Sequence, residues 1–240
     1  MKIIVLSKTD YKEKDVIINA ISENGPISFK VRSGQVPGSA FYWVNNPLCI
    51  AEVEYVENVR YIHQILKGAS LLFSPLNSDS SLDRLLSINL VIEVMNKMLP
   101  EEEKHLLFHE IEQYLTVTKE LKNFYFTELM FLAKAIKAAG SEPEVNRCVF
   151  CGNIHDIVAF SFAEGGFICR NCVSEDVIYD LTPTQMKIVR YLFNVEGFEN
   201  ADSDKLAKED LKAIFVKFKE FIYDGIGVSL DTIDHILKDF

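Results

Sequence analysis

Two pairs of cysteines with the same spacing are the residues of this sequence best suited to chemistry. Cys148 and Cys151 form a C-x2-C pair, and Cys169 and Cys172 repeat it after seventeen intervening residues. Two such thiolates can share one tetrahedral ion, and a second pair brought up by a hairpin completes the ligand set. Thiolates favour zinc over magnesium or calcium, and four of them leave no open position for water. The spacing therefore predicts one structural Zn²⁺.

A thiol redox site is the alternative interpretation of the paired cysteines. A reactive C-x2-C pair usually begins a helix in a βαβ unit, whereas polar or Gly-rich residues follow each pair here. His155 lies between the pairs and is predicted to be a solvated loop residue, since four cysteines already fill the site. Cys49 falls on the apolar face of a predicted strand and is expected to be a small core residue.

Composition and charge limit the classes of protein that this chain can represent. The sequence has 240 residues, 48% of them hydrophobic and 25% charged, which is typical of a globular protein. Neither an export signal nor an apolar run of membrane-spanning length is visible, which predicts a cytoplasmic protein with reduced thiols. The net charge is −10, but residues 1–80 hold eight bases and eight acids. The excess acidity therefore lies in residues 81–240, and the first third is better suited to meet phosphate.

Residues 1–80 are predicted to form a five-stranded OB-fold barrel. Short apolar or alternating runs recur with no long helix between them, and Asn24-Gly25 is a strong hairpin signal. Ile27, Phe29 and Val31 alternate with polar residues, as one buried face of a strand requires. The predicted strands cover Ile3–Leu6, Val16–Ile21, the segment after Pro26, Leu48–Val56 and Tyr61–Leu66.

This barrel is the candidate DNA-binding domain, because OB barrels hold single strands with basic grooves and aromatic platforms. Phe41-Tyr42-Trp43 is the candidate platform, although this triplet would equally suit the core. Two of the candidate bases, Lys30 and Arg32, would alternatively pair across strands with glutamates 52 and 54. The five candidate DNA-binding residues are Lys8, Lys12, Lys14, Lys30 and Arg32.

The rest of the chain is predicted to be a helical bundle into which the zinc module is inserted. A polar connector, Ser74 to Ser81, separates it from the barrel. Thr182-Pro183-Thr184-Gln185 is a helix start, because Thr182 can cap and Gln185 can complete a capping box. The predicted helices cover Leu82–Leu99, Glu102–Lys119, Leu121–Ala139, a segment from Thr182, a segment containing Leu211 to Ile222, and a segment from Ser229.

These elements define an α+β multidomain protein. The predicted divisions are the barrel at 1–80, the first part of the helical bundle at 81–145, the four-cysteine zinc module at 146–175 and the second part of the bundle at 176–240. The sequence contains no phosphate-binding glycine loop, Gly-x-Ser-x-Gly or His-Glu-x-x-His. Glu128, in an apolar helix, is predicted to be a core or interface carboxylate. The chain is therefore expected to be neither an enzyme nor a binder of a small-molecule substrate.

The ordered motifs resemble those of the RecO family of recombinational DNA-repair proteins. Four groups of residues occur in the order that this family shows. They are the opening strands, the approach to the first cysteine pair, the second pair with its preceding glycines, and Leu181-Thr182-Pro183. The resemblance covers essentially the whole chain. Its residues are Ile4-Val5-Leu6, Tyr11 to Asp15, Glu23-Asn24-Gly25, Ile27-Ser28, Phe126 to Leu129, Ala138-Ala139-Gly140, Pro143, Cys148 to Gly152, Gly165 to Cys172 and Leu181 to Pro183.

The resemblance implies a mediator, associated with the nucleoid, that binds single- and double-stranded DNA and anneals complementary strands. With RecR it would help to load RecA onto strands coated by single-stranded-DNA-binding protein, and its four cysteines would hold zinc. The chain departs from the family in one respect. The basic stretch after the third strand is reduced to Val31-Arg32-Ser33-Gly34, and the next base is Arg60. The alternative function is a zinc-stapled protein-interaction adaptor with little direct DNA binding.

Overall fold

The computed structural model of the chain describes residues 1–57, 62–75, 81–117, 123–175, 179–198 and 205–240. Two compact units are present, Met1–Lys119 and Glu120–Phe240. Several sequence predictions fall outside the described residues: most of the connector (76–80), Arg60, the start of the fifth strand at Tyr61, and positions 121 and 122. In the part of the chain that the structure describes, none of the helices is both long and apolar enough to pass through a bilayer.

The first unit contains a closed barrel of five strands, which confirms the predicted OB architecture. Neighbouring strands follow the order β1-β2-β3-β5-β4, and β4 pairs with β1 to close the sheet. All pairs are antiparallel except β3 with β5. The strands are β1 (Lys2–Tyr11), β2 (Asp15–Ser22), β3 (Gly25–Val31), β4 (Ile50–Val56) and β5 (Gln64–Phe73).

Alternation along the strands builds the barrel core. On β3, Phe29 and Val31 are buried, whereas Ser28 and Lys30 are partly exposed on the other face. Cys49 is fully buried in this core, as predicted, and burial raises the pKa of its thiol despite a hydrogen bond with Ser74. The hairpin turn itself consists of Glu23 and Asn24, because Gly25 already pairs with Ser22 in the ladder.

The fifth strand is longer than its apolar pattern predicted. It runs from Gln64 to Phe73, well beyond the predicted end at Leu66, because β4 supplies backbone partners along its whole length. The extension, which includes the exposed Leu71 and Leu72, shows no alternation of buried and exposed residues, so the sequence pattern did not mark it as a strand. Cross-strand hydrogen bonding decided the length of this element.

Besides a short 3-10 turn between β3 and β4 (Tyr42–Asn45), the first unit has three helical elements after the barrel in its described residues. Helix α1 (Leu82–Lys97) is capped by Ser81, whose side chain accepts a hydrogen bond from the Arg84 N–H. The predicted helix from Glu102 to Lys119 is divided into a 3-10 segment, Glu101–Leu107, and helix α2, Phe108–Val117. The 3-10 segment packs against β3. Lys2 of β1 donates to Glu112 of α2 at 2.6 Å, a tie between strand and helix.

In its described residues, the second unit contains four α-helices, a π-helical turn and a two-stranded hairpin. The buried helix α3 packs against α4 and α5, and α5 packs against α6. Thr182 and Gln185 form the predicted capping box at the start of α4. The elements are α3 (Phe124–Ala138), β6 (Ile157–Ser161), β7 (Gly166–Cys169), α4 (Pro183–Asn194), α5 (Lys208–Phe221), a π-helical turn (Ile222–Ile226) and α6 (Asp231–Asp239). The predicted domain divisions at residues 80, 145 and 175 stay predictions.

Candidate metal centre and nucleic-acid interface

Two tight turns present the four cysteines. In the first turn, the Gly152 N–H donates to the Cys148 carbonyl at 2.9 Å, and Gly152 adopts a φ of 72°. In the second, the N–H groups of Cys172 and Val173 both donate to the Cys169 carbonyl at 3.0 Å. Each turn folds a C-x2-C segment back on itself, so its two sulfurs point to the same side.

The β6–β7 hairpin brings these turns together. Antiparallel pairing places Ile157 opposite Cys169, and the Val149 N–H donates to the Phe167 carbonyl at 2.8 Å. The first turn is thereby anchored to the strand that leads into the second. The result is a cluster in which the sulfurs of Cys148, Cys151, Cys169 and Cys172 all lie within 4.8 Å of one another.

The cluster fits a tetrahedral metal ion. Zinc–sulfur bonds of about 2.3 Å place the sulfurs of a regular tetrahedron about 3.8 Å apart. The sulfurs of Cys151 and Cys169 are separated by 3.6 Å. All four ligands are soft, and together they would fill the coordination sphere. The arrangement can therefore hold one metal ion with no position left for a substrate.

The thiol pKa values of Cys148 and Cys172 are shifted in opposite directions within the cluster. Burial raises the pKa of Cys148, but hydrogen bonds from the backbone N–H groups of Cys169, Cys151 and Phe150 outweigh this and lower it to about 6. The pKa of Cys172 is raised to about 12, first by a hydrogen bond with Cys151 and then by burial. A cation among the sulfurs would favour deprotonation of all four.

Two residues that sequence reasoning excluded from the cluster lie outside it. His155 is exposed, and among the described residues the group that could hold a metal ion consists of the four cysteines alone. Cys49 lies in the barrel core. Both C-x2-C pairs occupy turns of a β-hairpin unit and not the start of a helix in a βαβ unit. The local structure expected for the redox alternative is therefore missing at these cysteines.

The five basic candidates of the barrel lie at the β1–β2 turn and on the strands around it. Lys12 and Lys14 are exposed in the turn, Lys8 lies near the end of β1, and Lys30 and Arg32 lie at the end of β3. Residues 8–15 and 30–32 together hold these five bases and three acids, a small positive excess. In OB folds, the β1–β2 loop and the face of strands 2 and 3 commonly bind oligonucleotides.

Hydrogen bonds tie this turn to the loop after β3. The side chain of Gln35 donates to the Asp15 carbonyl at 2.8 Å, and its backbone N–H donates to the Lys14 carbonyl at 3.1 Å. Lys8 donates to the Asn45 side chain at 2.9 Å. The basic turn is therefore held in place, and two separate segments of sequence form one surface.

Ion pairing on this surface differs from the sequence-based alternative. Lys30 pairs with Asp15 at 3.5 Å and not with Glu52 or Glu54, because β3 lies between β2 and β5. The glutamates belong to β4, which pairs with β1 and β5. The alternative in which Lys30 pairs with Glu52 or Glu54 is therefore wrong, and Asp15 of β2 is its ion-pair partner.

The aromatic triplet divides between core and surface. Phe41 and Trp43 pack against the barrel core, whereas Tyr42 is 46% exposed. Sequence reasoning missed Tyr11, which is also exposed and has Lys30 Nζ 4.6 Å from its ring centroid. Its signal was an aromatic residue beside lysines at the end of a strand. Tyr11 and Tyr42 are thus exposed aromatic side chains of the barrel that are available to a ligand.

Fold and site define a class of α+β protein in which an OB barrel is followed by helices and a four-cysteine metal knuckle. Comparison with known proteins agrees: the profile of the family described as "Recombination protein O C terminal" matches residues 79–224. The chain belongs to the RecO family of DNA-repair proteins.

Several curated relatives carry the name "DNA repair protein RecO". The Halalkalibacterium halodurans protein is 25% identical over 93% of this chain and 89% of its own length. The Bacillus subtilis protein is 24% identical over 93% of the chain and 88% of its length. The Chlorobium limicola protein is 31% identical over 62% of the chain and 58% of its length. The similarity therefore extends beyond the C-terminal profile into the barrel.

Proposed function

We propose that this protein is a non-enzymatic mediator of DNA repair and homologous recombination. It binds single- and double-stranded DNA, promotes the annealing of complementary strands, and acts in the cytoplasm at the nucleoid. With RecR it helps RecA to load on strands coated by single-stranded-DNA-binding protein. The family assignment supports the repair role, and the observation that carries DNA contact is the basic, two-tyrosine surface of the OB barrel.

In this proposal the barrel, residues 1–80, contacts DNA. Lys12, Lys14 and Arg32 are exposed, so they would meet phosphates directly. Lys8 and Lys30 are each paired with an aspartate, at 3.2 and 3.5 Å, and would exchange that partner for phosphate. The helical segments at 81–145 and 176–240 carry the acidic excess and would recruit proteins, since like charge repels DNA.

The cysteine cluster is proposed to hold one structural zinc ion. Its four soft ligands and its closed tetrahedral arrangement support zinc over hard cations. Zinc bound there would supply folding free energy to residues 146–175, because the sulfurs come together only when the hairpin forms. The module would thereby fix the connection between α3 and α4 within the second unit.

A salt titration of DNA binding tests the proposed DNA contact. Affinity for a fluorescent single-stranded oligonucleotide is measured at graded salt with the full chain and the Lys30→Gln/Arg32→Gln variant. Each lost phosphate contact reduces the log–log salt slope by about 0.7 for single strands. We expect weaker binding and a flatter slope. Lys187→Gln, an exposed lysine of α4, is the control and should behave as the parent. Affinity that does not respond to salt would contradict DNA binding by the barrel.

The second candidate function is a protein-interaction adaptor with little direct DNA contact. The net charge of −10 favours it. Gel-shift and pull-down measurements on one preparation separate the two functions. RecR or single-stranded-DNA-binding protein captured without any DNA shift would favour the adaptor, whereas a DNA shift by the chain alone favours the mediator.

A further inference from the structure

A cavity of about 350 Å³ opens in the second unit. One wall is the end of β6 with the turn after it, another is Asp180 in the segment before α4, and the third is the end of α5 with the π-helical turn after it. Such π-helical turns are frequent at functional sites. The side chains important for its chemistry are Phe162, Asp180, Lys217, Glu220, Phe221 and Asp224.

The cavity is acidic despite its lysine. Three carboxylates and one ammonium line it, and Lys217 Nζ lies 3.3 Å from Asp180 and 2.9 Å from Glu220. The hydrogen bond with Glu220 is the main cause of the raised pKa of Lys217; burial opposes it, and Asp180 adds to it. Lys217 is therefore charged and already engaged by two acids. A phosphate entering here would face a net negative wall, so the cavity selects cations.

Two of the three carboxylates are placed to receive a cation. Asp180 is committed to Lys217 through one oxygen and to the Phe162 N–H, at 2.8 Å, through the other. Glu220 uses one oxygen for Lys217, and its side chain is 54% exposed. Asp224 is exposed and has no ion pair or hydrogen bond with any residue in the described ranges. An incoming cation would therefore meet Glu220 and Asp224.

Two aromatic rings in the cavity lining favour a flat cation. The rings of Phe162 and Phe221 are stacked, with centroids 4.6 Å apart and an angle of 28° between planes. Phe162 also meets the buried Phe160 edge-on, with centroids 4.7 Å apart, so the wall is anchored in the core. A guanidinium packs on aromatic carbon and donates a fork of hydrogen bonds to carboxylates, whereas a lysine ammonium is more strongly hydrated. The combination favours arginine.

We propose that this cavity is the docking site for an arginine side chain from a basic segment of a partner protein. Its volume is near the lower end of the roughly 300–1,000 Å³ typical of ligand pockets, which suits one long side chain. The acidity of the chain, −10 overall, attracts such a segment. The proposal rests on the lining of the cavity and is independent of DNA binding by the barrel.

Peptide binding to the full chain tests this docking site. The probe is acetyl-Gly-Arg-Gly-amide, followed by backbone amide shifts in NMR spectra, and the matched peptides carry citrulline or lysine in place of arginine. The arginine peptide should shift the resonances of residues 161–163 and 220–225. The lysine peptide should bind more weakly, and the uncharged citrulline peptide should produce no shifts there. Equal binding of the citrulline peptide would overturn the proposal.

Variants that each remove one negative charge test whether the arginine peptide binds at this cavity. Asp224→Asn should weaken the arginine peptide by roughly threefold to tenfold, the loss expected for one partly exposed charge-assisted hydrogen bond. Glu209→Gln removes an exposed acid near the start of α5, outside the cavity, and should leave binding unchanged. Equal weakening by both variants would mean attraction to the general acidity of the chain and would overturn the site.

Two further measurements complete the test. Spermidine that matches the arginine peptide in affinity would mark a general polycation site and would contradict arginine docking. DNA affinity of Asp224→Asn should equal that of the parent, because the cavity takes no part in the proposed DNA contact. If the protein binds DNA but not the arginine peptide, only the docking proposal is wrong. If it binds the peptide but not DNA, only the proposed DNA-binding function is wrong.

Discussion

The sulfur of Cys151 lies 3.6 Å from the sulfur of Cys169, although eighteen positions separate the two residues in the chain. One strand pair and two turns produce this proximity, with Ile157 paired to Cys169 and Val149 bonded to Phe167. The contact is close to the sulfur separation of about 3.8 Å in a regular zinc tetrathiolate. The hairpin and the metal site therefore depend on each other.

Removal of one ligand should release the metal and loosen the hairpin. We expect Cys151→Ser to reduce bound zinc from one ion per chain to a small fraction, because three thiolates form an incomplete site. Metal analysis of purified protein and hydrogen exchange across residues 146–175 check this. Cys49→Ala is the matched control and should keep its zinc, since Cys49 lies in the barrel core. Full zinc retention by Cys151→Ser would exclude the tetrathiolate site.

Gly166 should tolerate no side chain. Its φ is +146°, and a Cβ built there would lie 2.2 Å from the Glu144 carbonyl oxygen. Gly166→Ala should lower the free energy of unfolding by several kcal/mol, the order expected when backbone strain and a steric clash combine. Gly165→Ala is the control, because its φ of +83° brings strain but no neighbour lies within 4 Å of the added Cβ. Thermal unfolding of both proteins should show a larger loss for Gly166; equal losses would contradict the clash.

Tyr42 should contribute to binding of single-stranded DNA. Stacking of a base on an aromatic ring contributes about 1–3 kcal/mol, and Tyr42 is the exposed member of its triplet. Tyr42→Ala should weaken single-stranded oligonucleotide binding by about fivefold or more, measured by fluorescence anisotropy. Tyr223→Ala, which removes an exposed tyrosine of the second unit, is the control. Unchanged affinity in Tyr42→Ala would remove this side chain from the DNA interface.

The capping box of α4 should stabilise the second unit measurably. The Thr182 side chain accepts from the Gln185 N–H at 3.3 Å, and the Gln185 side chain accepts from the Thr182 N–H at 3.0 Å. Thr182→Ala leaves the Gln185 N–H without its side-chain partner and should cost about 1 kcal/mol of unfolding free energy. Thr184→Ala, an exposed position in the same turn, should cost less. Chemical denaturation of both variants decides the comparison.

Glu144 should give the protein an acid-sensitive component of stability. A hydrogen bond from the Asn146 N–H is the main cause of its lowered pKa; burial opposes this, and Arg147 adds to it. A carboxyl whose pKa is lower in the folded chain stabilises that chain above its unfolded pKa, and the contribution disappears as pH falls through the folded value. Glu144→Gln should therefore flatten the decline in unfolding free energy below about pH 4.5. An acid limb identical to that of the parent would contradict this assignment.

Short-range features of the sequence were enough to predict the cysteine cluster, the buried face of β3 and the start of α4. The repeated C-x2-C spacing identified all four cluster residues, because two thiols in one tight turn can face one ion wherever the turn occurs. Alternation on β3 separated core from surface, and Thr182 with Pro183 and Gln185 marked the start of α4, because caps and side-chain periodicity are short-range effects. The sequence also identified the family through ordered motifs.

Contacts between segments far apart in the sequence decided the features that the sequence did not predict. The extension of β5 to Phe73 and the pairing of Lys30 with Asp15 depend on which strands become neighbours. The exposure of Tyr42 but not Trp43 depends on how the 3-10 turn that carries them packs against the barrel core. The cavity between the β6–β7 turn and the end of α5 also exists only after distant segments pack. Spacing along the chain determines what one turn or strand can do, whereas partners far apart in sequence are fixed by the closed barrel and the packed helices.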